Sequence, residues 1–183
     1  TLSRLTEAEG VSLIHQLVDA GVEKINFVGG EPMLHPHLDA WIKSAKFAGL
    51  VTSIVSNGTR MTPEWLTQIA PHLDWLGLSI DASTDEMHAA MGRGTVGDLR
   101  QGKSRHLEAS LAVLSDAKEL GFGIKLNTVV TSINVLDDMS DIVALIQPTR
   151  WKIFQVLRIE GENDGMPEHW EISTEEFEAY VEH

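Results

Sequence analysis

The 183-residue chain contains no cysteine. That excludes disulfides, thiolate metal sites and thiol nucleophiles among its own residues. It has no run of about 18 apolar residues, so nothing in it predicts a transmembrane helix. Its first twenty residues are polar and carry Arg4, Glu7, Glu9 and Asp19, unlike a secretory signal. A cytosolic location is the expectation. Positive charge is scarce: 14 Lys and Arg stand against 27 Asp and Glu, for a formal net charge of −13. An acidic surface repels a phosphate backbone. This argues against polymeric nucleic acid as a partner, yet leaves room for a small anion in a locally basic pocket. Hydrophobic residues make up 43% of the chain, and no segment is of low complexity. The length suits a single domain, 1–183, with a sizeable core, and a monomer is expected.

Short apolar, β-rich runs recur at Lys24–Val28, Val51–Val55, Trp75–Ile80, Phe122–Val130 and Trp151–Ile159. Several are apolar nearly throughout, which suits strands covered on both faces. Helical patterns lie between them. Thr6–Ala20 starts on a capping Thr, places Val11, Ile14, Leu17 and Val18 on one face and stops at Gly21. Leu38–Ala48 stops at Gly49. Pro63–Ile69 has Thr62 as its cap and Pro63 at the first helical position. Ser104–Leu120 ends at Gly121, Val135–Ile146 stops before Pro148, and Thr174–Val181 closes the chain. Gly92–Lys103 and Glu160–Glu171 are expected to be loops, and Asp81, Asp85 and Glu86 a turn and helix start. Alternating helices and strands predict a parallel α/β sheet. Because the chain opens on a helix, the strand that should precede it is expected upstream of residue 1.

In parallel βα folds, ligands sit beyond the carboxyl ends of the strands. Five successive runs here end in small polar residues: Gly29-Gly30-Glu31-Pro32, Ser56-Asn57-Gly58-Thr59, Ser79-Ile80-Asp81, Asn127-Thr128 and Gln155. Together they outline a concave polar face. Paired glycines let a ligand lie against backbone, and Glu31 offers acceptors to an amine. The same residues also suit a plain βα turn with a solvated Glu. Asn57-Gly58 by itself suits a simple turn. The pair His35 and His37 lacks carboxylate partners in the sequence and is expected to serve the loop rather than a metal.

Gly-Gly-Glu-Pro after a short strand resembles the motif of radical S-adenosylmethionine (SAM) enzymes. Within that superfamily the chain resembles the viperin family. The resemblance is carried by Lys24–Pro32, Ile54–Thr59, Leu76–Asp81, Gly92-Arg93-Gly94, Lys125–Asn127, Arg150–Gln155, Ile159-Glu160-Gly161-Glu162-Asn163 and Glu175–Glu178. It implies a partial (βα)6 radical SAM barrel that lacks its first strand and C-terminal tail. It implies conversion of CTP, UTP or GTP to a 3′-deoxy-3′,4′-didehydro nucleotide, a chain terminator in antiviral defence. A 5′-deoxyadenosyl radical would take the ribose 4′ hydrogen, and the 3′-hydroxyl would leave as water. The cofactor carries that chemistry, and the protein holds the reactants together.

The resemblance also assigns residues. Gly29, Gly30, Glu31, Ser56, Asn57, Ser79, Asn127 and Gln155 are expected to bind SAM. Lys24, Asn26, Arg93, Lys125 and Lys152 are expected to meet the nucleotide, the cations suiting a triphosphate. Arg100 is a second basic tip in the same loop as Arg93. Val28 departs from the vertebrate pattern, which has Ser there. A [4Fe–4S] cluster and an external electron donor are implied as well, with the cluster's three Cys expected upstream of residue 1. Three competing readings share part of the pattern: a molybdopterin-precursor cyclase relative, a non-catalytic barrel that senses SAM or nucleotide, and a generic phosphate-binding βα barrel.

Overall fold

The computed structural model describes residues 4–161 and 163–182. Eight α-helices and five strands alternate along them: α1 (Glu7–Asp19), β1 (Lys24–Phe27), α2 (Leu38–Phe47), β2 (Val51–Ser56), α3 (Pro63–Ile69), β3 (Trp75–Ser79), α4 (Asp85–Ala90), α5 (Val96–Leu99), α6 (His106–Glu119), β4 (Gly123–Val130), α7 (Ser140–Ile146), β5 (Arg150–Gln155) and α8 (Thr174–Glu182). The strand order is β1-β2-β3-β4-β5. β1 and β2 pair in parallel with Lys24 opposite Val51, and β2 and β3 with Ser53 opposite Trp75. A helix between consecutive strands makes this parallel order possible, because parallel neighbours need a crossover.

The chain forms two compact units: residues 1–78 with 113–125, and residues 79–112 with 126–183. In the first, Ile14 of α1, Ala45 of α2 and Leu50 form a buried cluster, with Ile25, Phe27 and Trp41 packed on it. Alternation along β1 follows. Ile25 and Phe27 turn towards the helices, so Lys24 and Asn26 occupy the opposite face and are exposed. α1 begins with a full capping box between Thr6 and Glu9. It crosses α2 at Gly10, where a Cβ would fall 2.1 Å from the Trp41 indole. The same indole donates from Nε1 to Glu7 O at 3.0 Å. In the second unit Ile80, Leu126, Val130 and Ile146 are buried.

Most elements match the periodicity, and the differences have local causes. Val135–Ile146 shortens to start at Ser140, because Asn134 folds its side chain back on the Thr131 amide and hydroxyl. Trp151–Ile159 ends as a strand at Gln155. The loop over Gly92–Lys103 contains the one-turn helix α5, nucleated by Thr95, whose side chain accepts from the Asp98 amide. α4 is a full element with Thr84 as its cap. No helix among the described residues is long and apolar enough to cross a membrane.

Candidate functional site

At the end of β1 the chain turns through Gly29 (φ +97) and Gly30 (φ +50), left-handed backbone that a side chain would strain. A Cβ at either position would meet nothing within 4 Å. The conformation therefore asks for glycine, while the space above the turn stays open. The Glu31 carboxylate that follows is drawn inward. Its Oε1 accepts from the Ser56 hydroxyl at 2.7 Å and the Met33 amide at 3.0 Å, and its Oε2 from the Asn57 amide at 2.9 Å. Glu31 thus ties the exits of β1 and β2 together. Three of the carboxylate's roughly four lone-pair positions are used, which leaves one for a ligand donor.

Ser56 is 3% exposed, donating to Glu31 and accepting from Gly58 N at 3.0 Å. The Asn57 side chain accepts from Thr59 in a local turn. A cavity of about 400 Å³ opens beside this turn, lined by Gly29, Gly30 and Glu31 together with Phe27, Leu34, His35 and Trp41. The imidazole of His35 stacks on Trp41 at 4.3 Å, and His37 pairs with Glu7 at 3.4 Å. These histidines serve packing, and no three His, Asp or Glu converge as metal ligands among the described residues.

The first unit also gathers two of the expected cations. Trp75 presents its ring to Lys24 Nζ at 5.3 Å and to Lys125 Nζ at 5.1 Å. Lys125 is 7% exposed and donates to the Ser53 hydroxyl at 2.7 Å. Ser53 stands opposite Asn26 in the β1–β2 ladder, so Asn26 shares this face. Two glycines make the arrangement possible. The Trp75 ring lies where a Cβ on Gly123 would be, 2.6 Å away, and Gly77 leaves room between Val55 and Lys125. Trp75 and Ser53 were not expected in this role. A Trp at the start of an apolar run reads locally as core.

In the second unit Ser79 ends β3, whereas Asn127, expected at a strand end, lies inside β4, which continues to Val130. The Ser79 carbonyl accepts from His106 Nε2 at 2.7 Å and the Asn127 carbonyl from Ile80 N at 3.0 Å. Neither side chain makes a hydrogen bond within the described residues. Lys152 lies on the exposed edge of the β5 alternation. Gln155 points the other way, its amide donating to Ile172 O at 2.9 Å. Arg93 is bound to Asp81 through Nε at 2.7 Å and Nη2 at 2.6 Å, whereas Arg100 is exposed on the loop. Asp81 was read from the sequence as part of a turn, and His88 and Asn134, which bond its backbone, were not singled out. Glu162, part of the Gly-Glu-Asn stretch, lies outside the described residues.

His88 is fully buried and accepts from the Asp81 and Ala82 amides on Nε2, at 3.2 and 3.3 Å. Its Nδ1 therefore carries the proton and donates to Thr84 O at 2.9 Å. Burial, and then the neighbouring His106, push its pKa below the usual histidine value.

Comparison with known proteins agrees with this architecture. The model of the radical SAM superfamily matches residues 2–146. The S-adenosylmethionine-dependent nucleotide dehydratase of Flammeovirga pacifica is 37% identical over 179 residues, covering 97% of this chain and 59% of that protein. The protein named S-adenosylmethionine-dependent nucleotide dehydratase RSAD2 in Danio rerio is 35% identical over 177 residues, covering 91% of this chain and 47% of its own length. The chain therefore spans about half the length of these curated relatives. Among solved structures, Streptococcus suis SuiB bound to S-adenosylmethionine superposes with a TM-score of 0.73 at 14% identity, over 99% of this chain and 41% of SuiB.

Proposed function

Since the chain belongs to the radical SAM superfamily and its sheet is that of a partial radical SAM barrel, we propose that it is the core of a viperin-type nucleotide dehydratase. The substrate is a ribonucleoside triphosphate, CTP, UTP or GTP, and the product its 3′-deoxy-3′,4′-didehydro analogue. One observation carries the reading. A single short strand presents a glycine turn with an open cavity at its end, and on its exposed face Lys24, which shares Trp75 with Lys125. One strand thereby serves both a SAM-type cofactor and an anionic substrate. The names of the curated relatives support the same chemistry.

The residues at the β1 exit fit SAM. Gly29 and Gly30 leave the backbone open, Glu31 retains one acceptor position for an ammonium, and Phe27 and Trp41 supply apolar wall to the cavity. When bound and reduced, SAM supplies the carbon radical that takes the ribose 4′ hydrogen. Ser79 and Asn127 keep side-chain donors for cofactor or ribose. Lys24, Asn26, Lys125, Arg93 and Lys152 hold the nucleotide, and their charge offsets a triphosphate of about −4. Orientation is the protein's contribution, since a radical takes the nearest hydrogen. A [4Fe–4S] cluster finds no ligand set in these residues, which include no cysteine. The full enzyme also needs an external electron donor.

The test is anaerobic reconstitution of the full-length protein with iron, sulfide, SAM and dithionite, offering CTP, UTP and GTP in turn. One nucleotide should accelerate formation of 5′-deoxyadenosine and yield a product lighter by one water. If none does so, the reading fails.

A further inference from the structure

The assignment above gives Arg93 a ligand but gives Asp81 no part. Asp81 lies just past β3, and its side chain is 1% exposed. Its Oδ2 accepts from Arg93 Nε at 2.7 Å and Nη2 at 2.6 Å, and its Oδ1 from the Val129 amide at 2.8 Å. The backbone around it is pinned on each side. Asp81 N and Ala82 N donate to His88 Nε2. The Asn134 side-chain amide donates to Asp81 O. Ser83 donates from its amide to Asp137, at 2.7 Å, and from its hydroxyl to the same carboxylate.

Arg93 is pinned at its root as well, its amide donating to His88 O at 2.7 Å. His88 therefore fixes both partners, one through its ring and the other through its carbonyl. This matters because Arg93 sits between Gly92 (φ +72) and Gly94 (φ +154). An arginine on such a loop would otherwise sweep a wide arc. Two of the five guanidinium N–H groups point at Asp81. The remaining three meet no acceptor among the described residues, and the side chain is 33% exposed. They form the end-on fork that spans two oxygens of a phosphate or carboxylate.

We infer that Asp81 is a positioning residue: it holds Arg93 side-on, so that the outer fork of the guanidinium receives a two-oxygen anionic group of a bound ligand. The inference rests on the reading above, in which that group belongs to the nucleotide triphosphate. The carboxylate of SAM has the same chemistry, and the experiment separates the two.

Dissociation constants for nucleoside triphosphate and for SAM are measured separately on the full-length protein and on D81N, R93A, R93K and D81N/R93A. Asparagine cannot replace Asp81. Whichever way its amide is turned, a donor faces either Arg93 or the Val129 N–H. R93A should weaken one ligand by about tenfold or more, the scale of a charge-assisted hydrogen-bonded pair. D81N should weaken the same ligand by roughly fivefold to tenfold, and should add nothing in the R93A background. R93K keeps the charge but lacks the fork, and should lose affinity with R93A. Loss confined to the nucleotide supports both the inference and the triphosphate assignment. Loss confined to SAM keeps Asp81 as the positioning residue and overturns the triphosphate assignment for Arg93. Wild-type affinities in D81N, or an equal loss in D81N whether or not Arg93 is present, overturn the inference. Should D81N not fold, R93K decides: retained affinity means that charge alone suffices and sinks the idea, whereas loss of the same ligand upholds it.

Discussion

Glu31→Gln separates two roles that a carboxylate at the exit of β1 can play. In the structure this carboxylate accepts from the Met33 amide, the Ser56 hydroxyl and the Asn57 amide. Glutamine presents one oxygen and one NH2. Turned one way, the NH2 faces the Asn57 N–H; turned the other, it faces the Met33 N–H and the Ser56 hydroxyl. The Ser56 hydroxyl can turn a free lone pair to the NH2 and still accept from Gly58, but the Met33 N–H cannot. At least one donor pair is therefore forced together. A lost charge-assisted bond to a partly buried backbone amide costs about 2 kcal/mol. For a domain of this size that lowers Tm by roughly 4–8 °C. The Gly29-Gly30 turn is released with it, so SAM affinity should fall as well. The assay is thermal unfolding of the full-length protein beside calorimetric SAM binding. S56A should lower Tm by a smaller amount, about 1 kcal/mol in stability, since the two Glu31 bonds to backbone persist. If SAM affinity falls while Tm stays put, the carboxylate acts on the ligand and not as a tie. If neither moves, the strand-tie argument is refuted.

Four further outcomes concern other parts of the molecule. Gly10→Ala places a methyl 2.1 Å from the Trp41 indole and should destabilise the protein by about 1–3 kcal/mol, read by urea denaturation. Lys125→Met keeps an unbranched side chain but removes the ammonium that lies over Trp75, so nucleotide binding should weaken about tenfold while SAM binding is spared. Lys152→Ala should do the same, and equal loss of both ligands in either variant would contradict the substrate assignment. His88 is held neutral, with its folded pKa below the unfolded value of 6.5. The unfolded chain therefore binds its proton first as pH falls. Stability from this residue is complete above about pH 6.5 and declines as pH drops below that. Denaturation midpoints at pH 7.5 and 5.5 should differ less in H88Q, whose side chain does not titrate.

The candidate site was legible in part. The Gly29-Gly30-Glu31-Pro32 turn stands out because positive φ demands glycine at those positions, a constraint carried by two adjacent residues. The exposed face of β1 is equally local, since alternation alone places Lys24 with Asn26. The use made of Glu31 was not legible. Its partners Ser56 and Asn57 lie 25 and 26 residues away, on a strand that is its neighbour only in the folded sheet. Arg93 was expected to meet the nucleotide from the resemblance, but the acid that holds it was read as part of a turn. Nothing in the local pattern at Asp81 distinguishes a solvated turn carboxylate from one that is 1% exposed. Gln155 was expected at the site from the resemblance and its place at a strand end, and the bond its side chain donates to Ile172 O, 17 residues on, was not legible.

By itself, the sequence determined the order of helices and strands, the glycine stops at Gly21, Gly49 and Gly121, and the sharp turn after β1. Each rests on periodicity, capping or backbone sterics within a few residues. Only tertiary structure decided which polar groups are consumed by the fold and which remain to meet a ligand. It turned Glu31 into a tie between strands and gave Asp81 to Arg93. It laid the Trp75 ring over Gly123 between Lys24 and Lys125. A buried donor or acceptor must find a partner wherever the fold brings one, so these pairings depend on distance in space and leave no periodic trace along the chain.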